Sequence, residues 1–135
     1  MDGMGANNGG LFSTDRIADA LVGLPVSLAQ SDNRIADEER KLAQLTEALE
    51  LAEVNASLEA ICDGKDAATR DLQRKQAVAR NADVKAAQTA ALTARANVEQ
   101  TKAENKQLSR QFAAYCHLAE LKAAQMTLMS KGVTQ

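Results

Sequence analysis

The chain is short of the residues that build compact cores and reactive sites. Its aromatics are only Phe12, Phe112 and Tyr115, with no tryptophan in 135 residues. Aromatic side chains bury ~150–250 Å² each and anchor globular interiors. Their scarcity points away from a thick-cored globule and towards an elongated shape with a thin core. Proline occurs once, at Pro25, and histidine once, at His117. Cys62 and Cys116 are the only cysteines. They do not make a disulfide framework and read as small buried apolar residues in a reducing setting.

An excess of charge of one sign is also missing, with 16 Lys and Arg against 18 Asp and Glu. Proteins that grip a nucleic-acid backbone usually show a clearly basic face, so nucleic acid is disfavoured as a partner. No apolar run reaches the 18 or so residues of a membrane span, and a membrane partner is disfavoured too. Met1 is not followed by a basic and then an apolar segment, so a secretory signal is not expected. The localisation expected is cytoplasmic when made, with incorporation into a virion or other large assembly left open.

Reactive motifs are absent. The spacings of phosphate-binding loops, C-x-x-C pairs and H-E-x-x-H helices do not occur. Cys116 and His117 are neighbours in sequence, so on a helix they point ~100° apart and cannot close a site together. His117 reads as a surface or interface histidine. The expectation is a non-enzymatic chain with no catalytic residues, no metal, no cofactor and no small-molecule substrate.

What is present is helix. From Asp66 to Lys131 the chain contains neither proline nor glycine and is crowded with Ala, Gln, Lys, Arg and Glu. A helix of that length would be on the order of 100 Å long, which points to a coiled coil or helical repeat rather than an ordinary globular helix. Upstream, Leu21, Leu28, Ile35, Leu42, Leu49 and Ala56 recur every seventh residue, with Leu45 and Ala52 between them. This is a heptad seam. A second stripe, Leu51, Val54, Leu58 and Ile61, widens the apolar face so that it can touch two neighbours. The later segment has its own seam through Val84, Ala87, Ala91, Ala94, Val98, Thr101, Asn105, Leu108, Phe112, Tyr115, Ala119, Lys122, Met126 and Met129.

The predicted fold is therefore all-α: a long antiparallel, coiled-coil-like helical hairpin with a short N-terminal helix and an extended second helix. Residues 1–12 form a glycine-rich arm and 13–24 a short helix capped by Ser13 or Thr14, with a break or bend at Pro25. Residues 25–63 form the first hairpin helix, 64–65 the turn, 66–131 the long second helix and 132–135 a tail. Gly64 is expected in the left-handed conformation that ends a helix, and Asp66 as the next N-cap. Leu28, Ile35, Leu42, Leu45, Leu49, Val84, Val98 and Leu108 carry the hairpin seam. Folding about Gly64 pairs Leu49 with Ala79 and Leu42 with Ala86. It also sets Glu47, Glu50, Glu53 and Glu59 against Arg70, Arg74, Lys75, Arg80 and Lys85, so this basic run reads as pairing within the hairpin rather than as a polyanion site.

The second helix outruns the first by ~40 Å, and the short N-terminal helix can cover part of this, bringing Phe12 towards Phe112, Tyr115 and Cys116. The far end, with Leu118, Leu121, Met126, Leu128 and Met129, has no evident partner within the chain, and an apolar face left bare asks for another chain. Phe12, Asn105, Phe112, Tyr115, Leu118, Leu121, Met126 and Met129 are the candidate interface. Asn105 in a seam either fixes register or turns to solvent at the seam's edge. The expected partners are copies of the chain itself, other structural proteins, or both. A small, alanine-rich, motif-free helical chain with a glycine-rich arm resembles, in general character, small helical components of phage virions such as head–tail, tail or ejection proteins. Two other classes fit the pattern: a helical-hairpin chaperone or export-stalk protein of a secretion system, and a phasin-like coat on a granule or lipid surface.

Overall fold

In a computed structural model, residues 13–134 are described, and among them the chain forms three helices and no strand: α1 (Thr14–Glu59), α2 (Ala67–Arg80) and α3 (Ala82–Thr134). The glycine-rich arm and Phe12 lie outside the described residues. The fold is all-α, and the long pair α1 and α3 pack together. The chain divides into two compact units, one of residues 1–33 with 102–135 and one of residues 34–101.

In the second unit, Ile35, Glu38, Leu42, Leu45, Leu49 and Ala52 of α1 are half-buried and Ala56 is buried. They face a seam on α3 in which Val84, Ala94, Val98 and Thr101 are buried and Ala87 and Ala91 half-buried. Leucine dominates one side and alanine the other, so large side chains interdigitate with small ones. In the first unit, Ile17 is buried, with Leu21, Leu24, Leu28 and Ser31 half-buried beyond it. The α3 side there presents Asn105, Leu108, Phe112, Tyr115, Ala119 and Lys122, all half-buried. Both seams keep the alternating three- and four-residue step of a heptad.

The expected boundary at Pro25 is not present, for α1 runs through it without interruption. A proline inside a helix loses one hydrogen bond and crowds the preceding turn, at a cost of ~3 kcal/mol or more. Pro25 is exposed, off the seam, while Ile17, Leu21, Leu24 and Leu28 hold phase on both sides of it. The carbonyl it leaves unpaired can meet water, and the packing of the seam offsets the loss. Ser13 caps this helix, its hydroxyl accepting from the Arg16 amide at 3.2 Å.

Residues 66–131, expected as one long helix, are not one helix. Asn81 divides them. It ends α2 with extended backbone (φ −65°, ψ 129°), its own N–H reaching Val78 O at 3.3 Å. Its side-chain oxygen then accepts from the amides of Asp83 at 2.9 Å and Val84 at 3.0 Å, which caps α3. One asparagine closes one helix and opens the next.

The connection between α1 and α2 also differs from a two-residue turn. It occupies residues 60–66, and none of the described glycines has positive φ, so Gly64 is not the left-handed terminator expected. What Gly64 supplies is room. A Cβ there would stand 2.5 Å from Thr69 Cγ2 and 2.8 Å from Thr69 Cβ. Gln73 holds the loop from α2, accepting from the Gly64 amide at 3.0 Å and donating to Asp63 Oδ1 at 2.9 Å. Arg70 donates to the Gly64 carbonyl at 3.0 Å. Asp66 is the N-cap of α2, accepting from the Thr69 amide at 2.7 Å.

Candidate interaction surfaces

The polar members of the seam decide how the helices align. In the unit of residues 34–101, Thr101 is 2% exposed and its hydroxyl donates to Glu38 Oε2 at 2.8 Å. The other Glu38 oxygen receives Arg34 Nε at 3.0 Å. In the unit of residues 1–33 and 102–135, the Asn105 amide donates to Ser31 Oγ at 3.1 Å and to Asp32 Oδ1 at 2.9 Å. Asn105, a candidate interface residue on sequence, thus makes polar contacts across the helix pair. Among the described residues no buried side-chain nitrogen or oxygen lacks a hydrogen-bond partner.

These bonds also set the register. Folding about Gly64 would place Glu38 near Ala90, whereas its partner is Thr101, about three helical turns further on. The shift follows from residues 67–80, which were expected as the start of the long second helix and instead form a separate 14-residue helix, α2. The glutamate–arginine pairing built on the expected register is accordingly not formed. Among the described residues, Glu47, Glu50, Glu53 and Glu59 are in no ion pair. Arg74 pairs with Asp71 one turn away at 3.4 Å, and Arg70 is used on the loop carbonyl.

A groove lies in the same unit, about 660 Å³ in volume. Its apolar lining is Val54 and Leu58 of α1 with Val78 and Ala79 of α2. The α1 wall adds Glu50 and Glu53, and the α2 wall adds Arg74 and Lys75. Around it the second apolar stripe stands in solvent: Leu51 is 62% exposed, Leu58 79% and Ile61 83%. The groove was not legible as such in the sequence. Its signal is a run of four charged residues on two helices flanking an apolar stripe that the seam does not use.

The other exposed apolar surface belongs to the end of α3. Leu121, Met126, Leu128 and Met129 are exposed, while Leu118, Phe112 and Tyr115 are half-buried. The seam spacing continues through Met126 and Met129, but burial stops at Lys122. Leu118, Leu121, Lys122 and Gln125 line a smaller hollow of about 270 Å³.

Chemically reactive groups are not gathered anywhere on these surfaces. His117 is 71% exposed and stands 4.0 Å from Glu120 one turn on. Cys62 and Cys116 are free and half-buried. Among the described residues no three of His, Cys, Asp and Glu converge as a metal site would require. No described helix is long and apolar enough to cross a membrane. Comparison with protein families, curated proteins and solved structures finds no match for the chain.

Proposed function

We propose that the chain is a non-enzymatic structural subunit of a larger assembly, built from copies of itself, other structural proteins, or both. The observation that carries this is the bare end of α3, where Leu121, Met126, Leu128 and Met129 are each more than half exposed on one helix. Scattered surface leucines need no explanation, but four large apolar side chains exposed between Leu121 and Met129 of one helix support an interaction surface there. A virion component of the head–tail, tail or ejection kind is the finer form of this reading, supported by composition alone.

The test is absolute mass by light scattering across a concentration series, with helix content followed in parallel. A discrete helical oligomer of the 14.4 kDa chain is the expected result. A helical monomer at every concentration would remove self-assembly from the proposal. It would favour the hairpin chaperone instead, with the groove beside the α1–α2 connection as the docking point.

A further inference from the structure

We propose that residues 1–12 of the same chain lie over the bare end of α3 and, resting here on the structural-subunit reading, must leave it before a neighbour binds. The seam shows why that end is bare. Carried along two antiparallel helices, the Asn105–Ser31 bond sets Lys122 opposite Thr14, the first residue of α1. Burial on α3 stops at Lys122, so α3 is uncovered from the point where its partner helix begins. The chain that arrives at that point is residues 1–12.

The cap of α1 gives the direction of arrival. Ser13 is the N-cap, accepting from the Arg16 amide, which makes Phe12 the residue before the cap and Ile17 the fourth of the helix. An apolar pair at those two positions packs together as a hydrophobic staple and fixes the angle at which the chain enters. Ile17 is buried, two heptads before the Ser31 that bonds Asn105 of α3. The staple therefore draws Phe12 onto the α3 side. Leu11 is then brought to the start of the bare stretch, where Leu118, Leu121, Lys122 and Gln125 line a hollow of about 270 Å³. Beyond Lys122 the described part of α3 rises ~18 Å. Twelve extended residues span up to ~40 Å, enough to pass Met126 and Met129. A segment tethered beside its site is at high effective concentration, so it holds the surface in the single chain and a neighbour has to displace it.

The test compares the full chain with the double variant Leu11→Ser and Phe12→Ser, which keeps Ser13 as the cap and the arm at full length. Across a dilution series, oxidation of Met126 and Met129 by hydrogen peroxide is followed by peptide mass spectrometry, with mass by light scattering and helix content in parallel. At equal helix content, both methionines should oxidise several-fold more slowly in the unaltered chain, with the same protection at every dilution. The variant should also assemble at lower protein concentration. Equal oxidation rates in the two chains would overturn the cover. Protection that fades on dilution would give the surface to a second copy and overturn it too. Lost protection with no gain in assembly would overturn the competition. An unaltered chain that is protected, while both chains stay monomeric at every concentration, would support the cover and overturn the structural-subunit reading.

Discussion

Thr101 and Glu38 are 63 residues apart in sequence and joined by a 2.8 Å hydrogen bond inside a heptad seam. Around them the seam is apolar and largely Leu on Ala, a pattern that would pack almost as well after sliding by one heptad. A polar pair that can be satisfied in only one alignment removes that freedom, which is the best-attested use of polar groups in helical seams. Glu38 also receives Arg34, so its carboxylate is spoken for on both oxygens.

Replacing Thr101 with valine keeps the shape and deletes the donor. The variant should lose about 1–3 kcal/mol, because the Glu38 carboxylate is left short of a partner in a mostly buried place. Thr101→Val combined with Glu38→Leu removes both partners and should recover most of that loss. Urea unfolding of the two variants measures it, and a single variant as stable as the unaltered chain would show that the pair does not hold the seam.

The α1–α2 connection makes a different prediction. Gly64→Ala drives a methyl into Thr69 Cβ and Cγ2, which are not the far end of a flexible chain. Overpacking of this kind costs about 1–3 kcal/mol. Gln73→Leu should weaken the same loop by removing its bonds to Gly64 and Asp63. The readout is proteolytic cleavage within residues 60–66, faster in both variants; unchanged cleavage would mean that Gln73 does not hold the loop.

Much of this was legible in the sequence, and the reason is periodicity. The seam residues on both long helices, from Leu21 to Ala56 and from Val84 to Lys122, are the positions the structure draws inward. The break at Asn81 was hidden because its neighbours, rich in Ala, Arg and Lys, favour helix strongly. A signal was nonetheless present: the α3 seam carried backwards from Val84 lands on Arg80, Ala77, Gln73 and Arg70, three of them polar or charged. An apolar seam that ends at Val84, three residues after an asparagine, marks a new helix start. Missing that start misplaced the register, and with it the charge pairs and the groove. Pro25 misled in the opposite direction, since a local breaker yielded to a seam that persists on both sides of it.

Asp66 gives a pH prediction. Hydrogen bonds from the Thr69 hydroxyl, and then from its backbone amide, hold the Asp66 carboxyl below its ordinary value of 3.8. A carboxyl with a lowered folded pKa stabilises the fold above its unfolded pKa and loses that contribution as pH falls through the folded one. Asp66→Asn keeps an acceptor at the cap but cannot titrate. The two proteins should therefore differ most in stability at neutral pH and converge below pH 3.8. A difference that stays constant across that range would assign the cap no titrating role.

Both helix breakers of α1, Gly23 and Pro25, lie two residues apart. Gly23 is exposed, and an added Cβ would meet nothing within 4 Å. In a helix interior glycine is about 0.5–1 kcal/mol less favourable than alanine, so Gly23→Ala should stabilise the fold by that increment and raise the thermal midpoint. Pro25→Ala restores a backbone donor and relieves the crowding of the preceding turn, and its gain should be larger, towards ~3 kcal/mol. Calorimetric melting of the two variants and their combination checks this. A combined gain equal to the sum would mean the two sites act independently, as a helix held in phase by Ile17, Leu21, Leu24 and Leu28 requires. A loss of stability on replacing Pro25 would instead mean that the seam depends on the bend proline imposes.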